Sequence, residues 1–531
     1  MAGVGGRVTL RDVSAFAEPA PSRARLGWPV WVVPGLLTLG ITLVGIGHAQ
    51  PWRDELATWS AATRPLPDLV RLTRVIDAAT GPYYALMHGW TALVGTSPTA
   101  LRLPSALAMA AAAALTARLG ARLVGDRAGL LAGLLFAVLP ATSRYGQEAR
   151  PYALATLFAV LATLLLVDAL RRPTRRRWAG YALAVAALAL VHLIALTLLA
   201  AHAVVVLLTA LRGPAAGRRV LVRWLLALLP AFVLVTPLAL VARGQRGRQL
   251  DWVDPARLPD LAALPGGLAQ SGVVGGFLLA LAALGAVRLG RRALLPAAAV
   301  LLPVLLLFVA GTVVPLWVTR YLVFTVPFAC LLAGAALAGT TPAGTTPAGT
   351  TPTETAPVGT AVSGTGPTGS APAGVRLGAA LALVALAGLL GLPDQAALRR
   401  THEWPRSAPV DYAGAARVIA AGERPGDAIV YSPRDSWLFP DLGMAYHLRS
   451  RLPRDVLVVR DQRQDADLWA TECDDPARCL AGVDRVWLVV TGRRADPLAA
   501  VPGAKGAALR DGFTVRQVWP RSGLTVALLA R

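Results

Sequence analysis

Charge is scarce in this chain: of 531 residues only 15% are charged, while 55% are hydrophobic and the mean hydropathy is +0.55. That balance excludes an ordinary soluble domain and places the chain among integral membrane proteins. Nucleotide-cradling loops are missing too, with no Walker-type Gly-Lys-Ser and no Gly-x-Gly-x-x-Gly in a βα context. Cysteine occurs three times. Cys473 and Cys479 lie close together but have no matching second pair, which argues against a metal site and for a local disulfide in an oxidising exterior. Cys330 falls within an apolar run and reads as packing. Acidic residues number 30 against 52 basic ones, a formal charge of +22. The excess clusters in short connections at Arg171–Arg177, Arg212–Arg223 and Arg288–Arg292, so it reads as cytoplasmic loops beside anionic lipids, with no nucleic-acid partner.

What is abundant is apolar sequence in lengths suited to a bilayer. Spans are expected near 28–47, 99–120, 127–143, 151–170, 178–191, 194–211, 222–242, 268–287, 294–314, 320–338 and 375–392, about eleven crossings. The run 178–212 is too long for one crossing, and a tight turn is expected near His192. With a cytoplasmic amino terminus, strict alternation puts all three basic clusters inside and the carboxyl-terminal region outside.

The expected organisation is a cytoplasmic tail (1–27), a transmembrane bundle (28–338) with an outer loop (48–98), a disordered Thr/Pro/Gly-rich loop (339–374), a last helix (375–392) and an extracytoplasmic domain (393–531). The loop repeats Thr-Thr-Pro-Ala-Gly, which cannot pack a core. In the last region Asp411–Ala420 has helical spacing, whereas Ala428–Tyr431, Val486–Val490 and Gly523–Leu528 read as strands. The fold class is therefore an all-α polytopic membrane bundle with a small carboxyl-terminal α/β domain, in the plasma membrane.

Candidate chemistry gathers on the outer face. Asp54 and Glu55 follow the first span, where adjacent carboxylates suit proton transfer; solvated charges at a helix end are the plain alternative. The loop after them is long and aromatic, with Tyr83, Tyr84 and His88. The next outer loop, Ser143–Tyr152, is dense in groups that bind or transfer: Arg144, Gln147, Glu148 and Arg150. Glu148 and Arg150 could instead merely pair with each other. Arg320 and Tyr321 open a further span from the outside, where a guanidinium can grip a phosphate with a planar fork or simply snorkel.

These residues, with their order and sidedness, resemble the GT-C polytopic glycosyltransferases, and within them the bacterial family 39 group of protein mannosyltransferases and aminoarabinose transferases. The resemblance rests on Arg53-Asp54-Glu55, Gly81-Pro-Tyr-Tyr through His88-Gly-Trp90, Leu101-Arg-Leu-Pro-Ser105, Gln147-Glu-Ala-Arg-Pro-Tyr152 and Thr319-Arg-Tyr-Leu322. It covers roughly the first 340 residues. Asp411-Tyr-Ala-Gly-Ala-Ala with Pro425-Gly-Asp427 is similar to the tail of actinobacterial members. The family's His-Pro-Pro before the paired tyrosines is here Thr80-Gly81-Pro82, a departure that bears on acceptor contacts.

The resemblance implies transfer of a sugar, mannose by family default, from a polyprenyl-phosphate donor to a lipid, glycan or protein acceptor outside the cytoplasm. By that reading Asp54 is the base of an inverting single displacement, with Glu55 orienting the acceptor or a cation. Arg320, Tyr321, Arg144 and Arg150 would hold the donor phosphate, and Tyr83, Tyr84, His88, Gln147 and Glu148 would contact substrate. A divalent cation such as Mg or Mn at Asp54 or Glu55 is compatible with this chemistry but not demanded by it. A polytopic transporter or flippase is the rival class; it usually shows paired halves, and no internal repeat is seen.

Overall fold

The computed structural model describes residues 27, 29–211, 214–339, 373–402 and 408–531. The expected amino-terminal tail and almost all of the Thr/Pro/Gly-rich loop lie outside the described residues.

Helix α1 (Pro29–Leu43) leads to three helices of the segment 48–98, expected as an outer loop and named so below: α2 (Arg53–Ala62), α3 (Leu66–Val75) and α4 (Gly81–Val94). The bundle continues with α5 (Pro98–Leu123), α6 (Asp126–Val138), α7 (Pro140–Gly146), α8 (Tyr152–Arg171), α9 (Arg175–Val191), α10 (Leu198–Ala210) and α11 (Pro214–Gln249). It is completed by α12 (Leu258–Ala269), α13 (Gly272–Leu289), α14 (Leu294–Val313), α15 (Val326–Leu337) and α16 (Ala373–Arg400).

Seven helical stretches among the described residues are long and apolar enough to cross a membrane, or eight if the α6–α7 pair, bent by 65°, is one span. The bend falls at Pro140, which has no N–H to continue the ladder. One stretch, Gly272–Val313, holds 42 residues, about twice what a crossing needs. It is broken by Gly290, at φ 54°, and a short 3₁₀ turn into α13 and α14. The remaining expected crossings coincide with α1, a shorter apolar helix of 15 residues, and with α9, whose 17 residues open on Arg175-Arg-Arg177. α9 stops at Val191 because His192 is extended.

Close contacts between small residues hold the bundle together. A Cβ on Gly129 would sit 2.3 Å from the Ala117 carbonyl oxygen, so α6 rests directly on the α5 backbone. In the same way Gly285 of α13 lies against Leu332 of α15. On the outside, α11 leaves Leu226, Phe232 and Val233 more than half exposed, the surface that hydrocarbon covers in a bilayer.

The carboxyl-terminal domain contains α17 (Tyr412–Gly422), β1 (Ala428–Ser432), α18 (Pro440–Leu448), β2 (Arg454–Asp455), β3 (Val458–Arg460), β4 (Thr471–Glu472), α19 (Pro476–Cys479), β5 (Arg485–Thr491), α20 (Gly503–Gly512), β6 (Thr514–Arg521) and β7 (Leu524–Ala530). Its main sheet runs β2-β1-β5-β7-β6, parallel from β2 to β5 and antiparallel beyond. Asp411 caps α17 by accepting from the Gly414 N–H at 2.7 Å. Cys473 and Cys479 are joined in a disulfide.

This domain is docked on the outer loop. Gln50 bridges the Val410 carbonyl and the Ala413 N–H, and buried Arg64 donates to the backbone oxygens of Gln462 and Asp467. The Tyr446 hydroxyl donates to the Thr96 oxygen. One apolar cluster, including Leu56, Tyr84, Tyr412 and Trp487, runs through both parts.

Candidate active site

Asp54 stands in the first turn of α2, where the helix dipole favours a carboxylate. Its Oδ2 is 3.8 Å from Arg320 Nη2 and 3.9 Å from Arg150 Nε. These three side chains come from three separate places in the chain: the outer loop, the turn before α8, and the 3₁₀ segment Thr319–Thr325. All three are mostly buried: Asp54 keeps 19%, Arg150 14% and Arg320 16% of its side-chain surface exposed.

Tyrosines fix both arginines. Arg320 Nε donates to the Tyr152 hydroxyl at 3.0 Å, and its guanidinium lies over the Trp252 ring at 5.3 Å. Tyr152 stacks on Tyr321, with centroids 6.4 Å apart. Arg150 Nη1 donates to the Tyr84 hydroxyl at 3.4 Å, which in turn donates to Asp77 Oδ2 at 2.6 Å. Gln249, at the end of α11, donates to the other Asp77 oxygen. Asp77 itself is held in the left-handed region at φ 59°.

Burial alone would raise the Asp54 carboxyl, but Arg150, Arg320, Arg53 and Arg144 together hold it below the usual carboxylate range. Asp54 is therefore charged at neutral pH. Glu148 behaves oppositely. It is buried, its carboxylate is 3.2 Å from Arg144 Nη1, and burial pushes its pKa up to about 7 against that arginine's pull, with Glu55 and Asp54 adding to the rise. Burial and the Asp77 carboxylate drive the Tyr84 phenol well above its ordinary value, so it remains a proton donor.

Glu55 has a different job from its neighbour. Both of its oxygens are gripped by Arg102, through Nε at 2.8 Å and Nη2 at 2.6 Å. It also accepts the Ala149 N–H at 2.9 Å and lies 3.4 Å from the Trp52 N–H. Arg102 additionally donates to the carbonyls of Ile46, Ala49 and Gln50. With these bonds made, Glu55 joins the end of the first helix, the start of α2 and the turn at Ala149, and has nothing left for an acceptor. Nor do these carboxylates fit the divalent cation that the sequence leaves open. Asp54 is flanked by guanidiniums, Glu55 is saturated, and among the described residues no group of three or more His, Cys, Asp or Glu is placed to hold a metal ion.

Of the residues singled out in the sequence, the structure gathers Asp54, Arg150, Arg320, Tyr321, Tyr84 and, behind them, Arg144 and Glu148. Arg144 donates to the His402 carbonyl and lies over the Trp52 ring. Glu148 and Arg150 do not pair with each other: one faces Arg144 and the other Asp54. Of the other residues expected to contact substrate, two are occupied elsewhere: His88 lies 3.0 Å from the Ala62 carbonyl, and Gln147 ties down the Thr42 and Val44 carbonyls. Tyr83 is buried in the core with its hydroxyl unpartnered. The sequence places Tyr152 and Arg102 inside the motifs quoted above but gives them no separate role in the site, and it gives none to Asp77 or Trp252. Tyr152 carries the same signal as Tyr321, a tyrosine opening a span just past an arginine. Arg102, a charge inside an apolar helix, demands a partner by its position.

Residues 82–240 match the family model described as dolichyl-phosphate-mannose-protein mannosyltransferase. No curated protein matches the chain. Among solved structures, the chain is similar to ArnT from Cupriavidus metallidurans in the apo state, at 14% identity and a TM-score of 0.56, over 94% of this chain and 98% of that one. The same protein bound to undecaprenyl phosphate matches at 14% identity and a TM-score of 0.56, over 95% and 98%. The likeness is one of fold and extends over the bundle and the carboxyl-terminal domain together.

Proposed function

We propose that this chain, a multi-pass membrane protein with the GT-C glycosyltransferase fold, transfers a sugar from a polyprenyl-phosphate donor to an acceptor hydroxyl outside the cytoplasm. The observation that carries this reading is the position of Asp54 between Arg150 and Arg320, three partly exposed charges brought together from separate parts of the chain. A base and two guanidinium forks within 4 Å suit an anionic leaving group and a hydroxyl nucleophile at one carbon. The solved ArnT complex with undecaprenyl phosphate supports the donor class, and the matched family description supports mannose as the sugar.

In the proposed step the acceptor oxygen attacks the anomeric carbon as the bond to the donor phosphate breaks, with inversion. The acceptor proton passes to Asp54, and the released polyprenyl phosphate takes the bonding electrons. Arg150 and Arg320 stabilise the charge that develops on it. In the resting protein these arginines make Asp54 a weak base. A bound phosphate shares their charge and so makes the carboxylate more basic when the acceptor arrives. Glu55 and Arg102 position Asp54 rather than touching substrate. Glu148 is too deeply buried to meet an acceptor hydroxyl, which favours Asp54 as the base.

The test is incubation of the purified protein with a panel of polyprenyl-phosphate sugars, following free polyprenyl phosphate by mass spectrometry. Release with one sugar and an added acceptor supports the reading. No release across hexose and pentose donors with lipid, glycan and peptide acceptors would contradict it.

A further inference from the structure

Strand side chains alternate between the two faces of a sheet. In the carboxyl-terminal domain Gln517, Trp519 and Arg521 of β6 therefore share one face with Arg485 and Trp487 of β5. The register agrees: Leu528 of β7 is paired with Trp487 on one side and Gln517 on the other. Helix α17 packs on this same face, close enough that a Cβ on Gly422 would meet the Trp487 ring at 3.0 Å. It does not cover the edge strand. Between α17 and β6 a groove of about 610 Å³ remains, lined chiefly by Arg417, Arg424, Arg485, Trp487, Trp519 and Arg521.

The groove has an aromatic floor and a cationic rim. Trp519 is partly exposed and stacks on the buried Trp487, with centroids 5.7 Å apart and planes within 28°. Four arginines surround the rings, and no carboxylate lines the groove. Asp427, just behind, is engaged by Arg485 at 3.4 Å and by the Trp487 Nε1–H at 2.8 Å. Arg417 and Arg424 are exposed, and the Arg521 Nε–H is buried without an acceptor. An indole face attracts the electron-poor C–H face of a sugar ring, while guanidinium forks bind carboxylate or phosphate in two-point fashion. Nucleic acid offers stacking and charge too, but the Cys473–Cys479 disulfide in the same domain argues for an oxidising compartment where nucleic acid is not the natural partner.

We propose that this groove binds an acidic saccharide, with one sugar ring on Trp519 and its carboxylates or phosphates on Arg417, Arg424 and Arg521. The site is separate from the Asp54 cluster and stands whether or not Asp54 is a catalytic base.

The test uses the full-length protein in phosphatidylcholine nanodiscs, titrated calorimetrically with hexagalacturonate, a phosphorylated oligomannoside, the methyl ester of hexagalacturonate, inorganic phosphate and oligothymidylate. At least one acidic saccharide should bind, weakening with salt, and the methyl ester should bind roughly tenfold less tightly or worse. Trp519→Ala and Arg424→Gln should each weaken the acidic saccharide roughly tenfold. Trp519→Phe, which keeps a ring, should recover part of the loss. Arg424 is exposed and makes no core contact, so its variant should keep the wild-type thermal midpoint. Failure of both acidic saccharides to bind would overturn the proposal. So would equal affinity for the methyl ester, equally tight binding of phosphate or oligothymidylate, or unchanged affinity in the Arg424 variant.

Discussion

Glu55 and Arg102 form a two-point ion pair at 2.8 and 2.6 Å, with both side chains only 1% exposed. Removing one partner strands the other charge in a dry site, at a cost on the order of 3–5 kcal/mol. Glu55→Ala should therefore lower the thermal midpoint by several degrees, or prevent recovery of folded protein. A variant with a wild-type midpoint and a purely catalytic defect would show that Glu55 acts on substrate after all.

Arg320 uses its Nε–H on Tyr152 and directs Nη2 toward Asp54, a geometry that depends on the planar fork. Arg320→Lys keeps the charge and loses the fork, so donor affinity should fall roughly tenfold, about one charge-assisted bond. Donor titrations of both proteins in the same nanodiscs check this. Equal affinity would reduce Arg320 to an interfacial anchor.

The Glu148 carboxyl, pushed up to about 7 by burial, holds its proton more tightly folded than unfolded. Its contribution to stability is thus fully present below the unfolded value near 4.5 and is lost as pH rises through about 7. Wild-type protein should lose thermal midpoint between pH 5 and pH 8, and Glu148→Gln should lose less. Asp54 works in the opposite sense, because its folded pKa is depressed: what it contributes disappears only as pH falls through the acidic range below the usual carboxylate value. Parallel slopes for wild type and Glu148→Gln from pH 5 to pH 8 would contradict the assignment.

The apolar runs were readable because a bilayer demands about 20 such residues per crossing, and the run at 178–212 divides where His192 interrupts the helix. Asp54 was conspicuous because a carboxylate pair at the end of an apolar run is rare. What separates Asp54 from Glu55 was not readable. It lies in Arg102 and the Ala149 N–H, far along the chain, and adjacent letters carry no information about such partners. The network from Asp77 to Gln249 was hidden likewise, because α11 runs past its apolar part to reach the outer loop. Strand β6 was missed since Arg516, Gln517 and Pro520 break its apolar alternation. Gln517, Trp519 and Arg521 of that strand line the arginine-rimmed groove.

The basic loops carry the expectation of sidedness. Arg74→Cys on the outer loop and Arg175→Cys on a basic connection are both at exposed positions. In intact cells a membrane-impermeant thiol reagent should label the first and spare the second. Labelling of the second alone would invert the site map.

The most direct test compares wild type with Asp54→Asn in one assay, using donor, acceptor and nanodiscs in common. The change keeps size and hydrogen-bonding shape but removes the base. Release of polyprenyl phosphate should fall on the order of 10²- to 10⁴-fold. The thermal midpoint should hold, and donor affinity should stay the same or improve, because a negative charge beside the phosphate is gone. Near-normal release by Asp54→Asn would contradict the claim that Asp54, between Arg150 and Arg320, is the base.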